Sequence, residues 1–215
     1  MKAIIVPVTP FQQNCTIAWC EETMKGCAID PGGEVDKLVE VIKDKGITLE
    51  KIFITHGHLD HASGAAELAD RLGVPIEGPH EDEKELIASL DEQGSRFGIE
   101  GARSFTPSRW LKDGDTVTFG NETMDVRFCP GHTRGHVIFY NAKSKVAFVG
   151  DVLFQGSIGR TDLPGGNAAT LINSITEQLW PLGDDVNFVS GHGPMSTFGQ
   201  ERKTNPFVGD LVLGN

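Results

Sequence analysis

Short apolar runs separated by polar, turn-forming residues dominate the first third of the chain. Residues 3–8, 15–20 and 26–29 have the length and the apolar content of strands. Their short connections predict an antiparallel opening to a β-sheet. Apolar residues then recur at helical spacing over 34–45, which predicts an amphipathic helix, and residues 52–54 predict a buried strand.

The middle of the chain predicts helices and a long loop. Alanine and leucine favour a helix over 62–72, and charged residues over 81–90 suit an exposed helix. Residues 94–109 contain glycine, proline and serine, which predict a loop. We expect this loop to be the most mobile part of the chain.

The second half returns to short apolar runs. The predicted elements are strands at 116–119, 124–129, 137–140, 146–149 and 186–189, and a helix at 168–179. Two strand-rich halves with their own helices can bury their apolar faces by packing sheet on sheet. We therefore expect an α/β fold: an αβ/βα four-layer sandwich of two mixed β-sheets with helices on the outer faces. We interpret residues 1–215 as one domain.

Composition limits the partners and the location. Thirty acidic and 19 basic residues give a net charge of −11, which repels a phosphate backbone, so we expect no nucleic-acid partner. The apolar runs are too short to span a membrane, and the first residues do not resemble a signal peptide. We therefore expect no membrane association and a cytoplasmic protein whose four cysteines are buried thiols. The oligomeric state is not determined by the sequence.

The densest chemistry lies in the segment His-Gly-His-Leu-Asp-His at 56–61, between a predicted strand and a predicted helix. His56 and His58 are two residues apart in extended geometry and can face one ligand. Asp60 and His61 can serve a second centre. Four metal-binding side chains within six residues indicate a metal site, because a purely structural turn has little reason to contain them.

Three further residues follow apolar strands: His132, Asp151 and His192. Each alone is more often a surface or hydrogen-bonded residue, but all three would emerge at one end of the sandwich. The set supplies five histidines and two aspartates, enough for two divalent ions about 3.5–4 Å apart. Zinc is the favoured metal, and nitrogen and oxygen ligands without thiolate also suit iron and manganese.

The order and spacing of these segments resemble the metallo-β-lactamase superfamily over almost the whole chain. The resemblance rests on residues 55–61, 131–132, 150–151 and 191–193, and it implies the fold of that superfamily. It assigns three ligands to the first metal: His56, His58 and His132. It assigns three others to the second metal, namely Asp60, His61 and His192, and it makes Asp151 the bridge. It also implies that Asp30 and His136 support the ligands through hydrogen bonds.

Within the superfamily, residues 150–162 resemble the glyoxalase II branch, the hydroxyacylglutathione hydrolases, and the end of the chain resembles its single-domain bacterial YcbL type. Asp151 stands where the commonest zinc β-lactamases have cysteine, which argues against a dedicated lactamase. Arg160 stands where the branch has a lysine that binds a glutathione carboxylate; an ordinary surface ion pair is the equal alternative. Only 23 residues follow His192, so we expect no C-terminal helical glutathione-binding domain.

The resemblance implies a binuclear metal-dependent hydrolase of a small-molecule thioester, above all of S-lactoylglutathione to D-lactate and glutathione. A hydroxide that bridges the metals is the expected nucleophile, with Asp60 and Asp151 as catalytic carboxylates. Three alternatives stay open: a hydrolase of another ester or lactone, a persulfide dioxygenase with one iron, and a non-catalytic metal-binding scaffold. The roles of Arg134, where the family has proline, and of Arg202 are open.

Overall fold

Two β-sheets form the centre of the protein in this computed structural model, which describes residues 1–214. The first sheet contains β1 (Lys2–Val8), β2 (Gln13–Trp19), β3 (Lys25–Ile29), β4 (Thr48–Phe53) and β5 (Ile76–Glu77), in that order. β1, β2 and β3 pair antiparallel, whereas β3, β4 and β5 pair parallel. The expected antiparallel opening is therefore confirmed, and the sheet is mixed.

The second sheet has six strands in the order β13-β12-β9-β8-β7-β6. Its strands are β6 (Thr116–Phe119), β7 (Glu122–Phe128), β8 (Val137–Asn141), β9 (Val146–Gly150), β12 (Asn187–Ser190) and β13 (Ser196–Thr197). β9 and β12 are parallel, and the other pairs are antiparallel. Between β9 and β12 in the chain, β10 (Leu153–Phe154) and β11 (Ser157–Ile158) form a separate hairpin.

Helices cover the outer faces of both sheets. They are α1 (Val35–Asp44), α2 (Leu59–Ala62), α3 (Ala65–Leu72), α4 (Lys84–Ala88), α5 (Leu90–Phe97), α6 (Ala168–Ser174), α7 (Phe198–Thr204) and α8 (Asp210–Leu213). Buried phenylalanines fill the space between the sheets, and the rings of Phe53 and Phe139 are 5.4 Å apart. Separate apolar clusters join each sheet to its helices. These four layers confirm the predicted αβ/βα sandwich.

Two helix predictions need correction. The predicted helix over 62–72 is interrupted between α2 and α3, where Gly64 approaches the Pro31 backbone so closely that a Cβ on it would lie 2.7 Å from the carbonyl oxygen. The predicted helix over 168–179 ends as an α-helix at Ser174 and continues with a wider π-helical turn over Ile175–Leu179. Helix propensity alone indicates neither difference.

The segment after β5 differs more from its prediction. The exposed helix expected over 81–90 is a 3₁₀ turn followed by α4, and Ile87 and Leu90 are fully buried. The prediction of a loop over 94–109 is wrong at its start, since α5 continues to Phe97. Charge-rich composition concealed the few apolar positions that anchor both helices to the core.

Two expectations concern the surroundings of the protein. No helix within residues 1–214 is long and apolar enough to cross a membrane.

All four cysteines are buried and unbridged, which confirms their interpretation as buried thiols. Burial raises the pKa values of Cys15, Cys27 and Cys129 well above that of a free thiol, so these three thiols are not poised as nucleophiles.

Candidate metal centre

Loops from both sheets meet at one edge of the sandwich. β4 leads into the segment with His56 and His58, and α2 carries Asp60 and His61. In the second sheet, the β7–β8 connection carries His132, and the ends of β9 and β12 supply the remaining two predicted ligands, Asp151 and His192. The side chains of all seven candidates converge at this edge.

Three histidine nitrogens form the first group. Nδ1 of His58 lies 3.0 Å from Nε2 of His56 and 2.9 Å from Nε2 of His132. Nδ1 of His132 contacts the carbonyl oxygen of Arg160 at 2.8 Å, which leaves Nε2 free to face the group. Three imidazoles aimed at one point are a typical zinc-binding arrangement.

The second group combines a carboxylate with two histidines. Oδ2 of Asp60 lies 3.0 Å from Nε2 of His192 and 3.9 Å from Nε2 of His61. Asp151 stands between the two groups: its Oδ1 lies 3.3 Å from Nε2 of His61, and its Oδ2 lies 3.5 Å from Nε2 of His132. A carboxylate in this position can contact an ion in either group.

These distances fit bound divalent ions. Ligand atoms about 2.0–2.2 Å from a tetrahedral metal lie roughly 3.3 Å from one another, close to the separations observed. Nε2 of His61 and Oδ1 of Asp151 are buried and lack a hydrogen-bond partner in the described part of the chain. Buried polar atoms are rarely left in this state, and a cation between them would satisfy both.

Asp30 supports the site from behind. Its Oδ1 accepts a hydrogen bond from the backbone N–H of Thr55 at 2.7 Å, and its Oδ2 accepts one from the Thr55 hydroxyl at 2.6 Å. Oδ2 also lies 2.9 Å from Nδ1 of His61, so Nε2 of that ring faces Asp60 and Asp151. Such a contact fixes the ring orientation that metal binding requires.

His136 lies behind the first group and does not join either cluster. Its ring stacks on that of His56 with the centroids 4.6 Å apart, and its Nε2 accepts a hydrogen bond from the backbone N–H of Asp151 at 3.1 Å. Gly150 has a φ of +48°, and a Cβ there would lie 2.6 Å from Nε2 of His136. The glycine therefore lets the β9 end approach this histidine closely.

Glu83 is a site residue that the sequence analysis missed. Its side chain is almost fully buried and accepts backbone hydrogen bonds from Gly57 at 2.8 Å and Gly135 at 2.6 Å. A Cβ on Gly135 would lie 2.7 Å from Cγ of Glu83, so the glycine leaves room for the contact. One carboxylate thus joins the His56–His58 loop to the loop that follows His132. Nothing local in the acidic stretch 81–85 distinguishes it from its exposed neighbours.

The sequence also gave no sign that the β1–β2 turn and the start of β2 contact the His192 loop. The carbonyl oxygen of Phe11 lies 3.2 Å from Nδ1 of His192. The Asn14 amide donates to the carbonyl oxygens of Ser190 and Gly193 at 3.0 and 2.9 Å. These contacts span about 180 residues of sequence, and only the folded chain brings them together.

Burial and mutual charge set the protonation of the site. Burial lowers the pKa of His56 well below its usual value and lowers that of His58 to about 4, so both rings are neutral, as metal ligands must be. Burial opposes ionisation of Asp151, but its neighbours, led by His61, outweigh that effect and hold its pKa below the usual range. Burial likewise opposes a charge on His61, yet Asp151 and Asp60 raise its pKa. A cation bound at His61 would therefore displace a proton.

Other predicted residues lie at the margin. Arg160 lines the cleft above the cluster, and its guanidinium donates hydrogen bonds to Asp162 at 2.8 and 2.7 Å. His80 lies outside the cluster and is partly buried: its side chain is 19% exposed, and its ring packs against Phe128.

Two arginines of open function lie outside the cluster. Arg134 is exposed on the loop between His132 and His136. Arg202 forms ion pairs with Asp184 and Asp210, which tie α7 to α8 and to the turn before β12. Neither of them is among the residues that line the cleft.

The sequence profile of the metallo-beta-lactamase superfamily matches residues 8–192. The chain belongs to this superfamily. It is 45% identical over 209 residues to the hydroxyacylglutathione hydrolase GloC of Haemophilus influenzae, which covers 97% of this chain and 98% of that protein. It is also 38% identical to the probable metallo-hydrolase YqgX of Bacillus subtilis, over 99% of this chain and all of the relative.

Solved structures of this superfamily superimpose closely. The B3 metallo-beta-lactamase BLEG-1 has a TM-score of 0.89 at 33% identity and covers 96% of this chain and 99% of its own. The protein TTHA1623, solved in a di-iron-bound form, has a TM-score of 0.85 at 34% identity, with 95% and 99% covered. These likenesses confirm the superfamily fold.

Proposed function

We propose that the protein is a metal-dependent thioester hydrolase that cleaves S-lactoylglutathione to D-lactate and glutathione. The observation that carries this proposal is the 45% identity to GloC over nearly the full length of both chains. The cluster of five histidines and two aspartates provides the chemistry that such a reaction needs. We also propose that residues 1–215 act as one domain and that the protein works in the cytoplasm, where buried thiols stay reduced.

The proposed ligand roles follow the two groups of side chains. His56, His58 and His132 would hold one divalent ion. Asp60, His61 and His192 would hold a second, with Asp151 shared between them. Bound there, the ions would supply a water-derived nucleophile at neutral pH and polarise the thioester carbonyl. Zinc is the metal we propose, and the di-iron form of TTHA1623 keeps iron as the principal alternative.

The chain's own residues would then orient the reaction. Asp30, through His61, and His136, through the backbone of Asp151, fix the ligand positions. Asp60 and Asp151, the proposed catalytic carboxylates, lie on the floor of the cleft, where they can hold a reacting water by hydrogen bonds. Arg160 is the proposed contact for a glutathione carboxylate, since it lines the same cleft.

Opening of a β-lactam amide is a second candidate, favoured by the close likeness to BLEG-1. Both reactions add water to a carbonyl carbon, and the same cluster could serve either. Hydrolysis of nitrocefin measured beside thioester hydrolysis separates the two candidates. A kcat/KM for nitrocefin above that for S-lactoylglutathione would favour the lactamase.

The deciding experiment measures metal content per chain and S-lactoylglutathione hydrolysis on the same purified sample, together with the Asp151→Ala variant. We expect two metals and turnover in the wild type, and loss of at least one metal with loss of turnover in the variant. Full metal content and full turnover in Asp151→Ala would contradict the bridging role. One iron, oxygen uptake and no thioester hydrolysis would replace the proposal by a persulfide dioxygenase.

A further inference from the structure

A cleft of about 770 Å³ opens above the metal-ligand residues. Five of the candidate ligands form its floor, so a molecule in the cleft is in reach of the proposed chemistry. Its walls come from several distant segments of the chain and are largely apolar. Its apolar lining includes Phe11, Phe97, Phe154, Ile158, Leu163 and Pro194.

Three of these apolar residues expose their large side chains to solvent. Phe11 is 52% exposed, Phe97 59% and Leu163 36%, and they are three of the seven large apolar residues exposed in the described chain. They come from the β1–β2 turn, the end of α5 and the loop after β11. A single exposed apolar residue is ordinary, but three that converge on one cleft indicate an apolar ligand group.

The cleft also contains few basic groups. Apart from histidines, Arg160 is the only basic side chain among the described residues that line it. Nε and one terminal nitrogen of its guanidinium donate hydrogen bonds to Asp162, at 2.8 and 2.7 Å. The polar tripeptide glutathione has no apolar side chain to place against the phenylalanines. The acyl group of the thioester is the part of the substrate that can use these walls.

We infer that this site selects thioesters by a bulky apolar acyl group, aromatic or branched, packed between Phe97, Phe11 and Leu163. This inference rests on the proposed thioester hydrolysis and names its preferred substrate class. Water adds to the thioester carbon and the carbon–sulfur bond breaks. The sulfur leaves with the bonding electrons and takes up a proton, which gives a carboxylic acid and a thiol. The small hydroxylated lactoyl group leaves most of the apolar wall unused.

The test compares two substrates that differ in one group. S-mandeloylglutathione carries a phenyl ring where S-lactoylglutathione carries a methyl group, and both keep the α-hydroxyl. We expect kcat/KM for the mandeloyl substrate to exceed that for the lactoyl substrate by about tenfold or more. Phe97→Ala should lower kcat/KM for the mandeloyl substrate more than kcat/KM for the lactoyl substrate, and should thereby remove most of this preference. Phe207→Ala is the matched control, because Phe207 is 48% exposed and does not line the cleft.

A binding measurement separates this inference from the proposed reaction. S-benzylglutathione and S-methylglutathione are thioethers that cannot be hydrolysed, and their Kd values can be compared on the metal-replete wild type and Phe97→Ala. A tighter Kd for the benzyl compound that Phe97→Ala abolishes supports the apolar site even if no thioester is turned over. Turnover of both thioesters without preference, or a preference that persists in a Phe11→Ala, Phe97→Ala double variant, overturns the inference and leaves the proposed function standing.

Discussion

Glu83 shows how much of the site depends on a residue outside the ligand set. Its carboxylate accepts the backbone N–H of Gly57, between two candidate ligands, and that of Gly135, on the loop after His132. A buried carboxylate with two backbone donors is a strong contact, and losing one donor leaves a buried group unsatisfied. The geometry of the three-histidine group therefore depends on Glu83.

The variant Glu83→Gln tests this dependence. Its amide can accept from one backbone N–H but presents its NH₂ to the other, so the two loops should separate. We expect metal affinity to fall about 10–100-fold, measured by competition with a chromogenic chelator. Glu81→Gln removes the same charge at an exposed position two residues away and should leave affinity unchanged. Equal affinities in both variants and the wild type would show that Glu83 does not position the ligands.

Arg160 and Asp162 give a second prediction, in which substitutions of the two residues change KM in opposite directions. The two exposed groups are joined by paired hydrogen bonds, and this contact lowers the pKa of Asp162 to about 2. Asp162 thus stays charged at any assay pH and competes with a substrate carboxylate for Arg160. Arg160→Ala should raise KM for S-lactoylglutathione, and Asp162→Asn should lower it. Uncharged thioesters should respond to neither variant, and an equal response to both substrate types contradicts a carboxylate contact.

Helix α6 is the element that secures the His132 loop. The backbone N–H of Asn167 donates to the carbonyl oxygen of Gly131 at 2.8 Å, and the Ser174 hydroxyl donates to that of Pro130 at 2.7 Å. Gly131 has a φ of +128°, and a Cβ there would lie 2.3 Å from the backbone nitrogen of Leu171. The helix and the ligand loop are in direct backbone contact, so fraying of one should disturb the other.

The N-cap of α6 allows this coupling to be measured. The Asn167 side chain accepts a hydrogen bond from the backbone N–H of Thr170 at 2.9 Å, and Asn167→Ala should cost about 0.5–2 kcal/mol of unfolding free energy. Urea unfolding checks the value, and a lower metal affinity would show that the effect reaches His132. Asn173→Ala, at an exposed interior position of the same helix, should be neutral or slightly stabilising. Equal destabilisation by both variants would exclude a capping role.

At the scale of the whole molecule, the candidate ligands connect the two sheets. The loops of the first sheet carry His56, His58, Asp60 and His61, and those of the second sheet carry the other three candidate ligands, so each group mixes ligands from both sheets. A bound ion would therefore cross-link the sandwich at one edge. Ions that bind the folded chain alone stabilise it by mass action.

Metal removal should accordingly lower the melting temperature of the whole protein. Binding at a concentration 100 times Kd stabilises by about 2.7 kcal/mol per site, which corresponds to roughly 5–10 °C for a chain of this size. Calorimetry before and after treatment with EDTA and dialysis measures the shift, and added zinc should reverse it. An unchanged melting temperature with proven loss of metal would mean that the ions do not join the sheets.

The pattern of residues along the chain is sufficient to predict the strand-rich halves, the layer order and the candidate ligand set. Alternation of apolar runs with turns is a local signal, and a dense run such as 56–61 is visible without a structure. Even so, α4 and α5 were misjudged, because only two or three buried positions among many charges anchor them. Local patterns succeed where many residues carry the same signal.

Which side chains meet, by contrast, depends on how the folded chain packs. Glu83 looks like its exposed neighbours, and its role depends on two loops about 26 and 52 residues away. The contact of Phe11 with His192 and the convergence of Phe11, Phe97 and Leu163 on one cleft join segments that have no local relationship. Burial and hydrogen-bond partners are properties of the packed chain, and a residue's type and neighbours in sequence do not contain them.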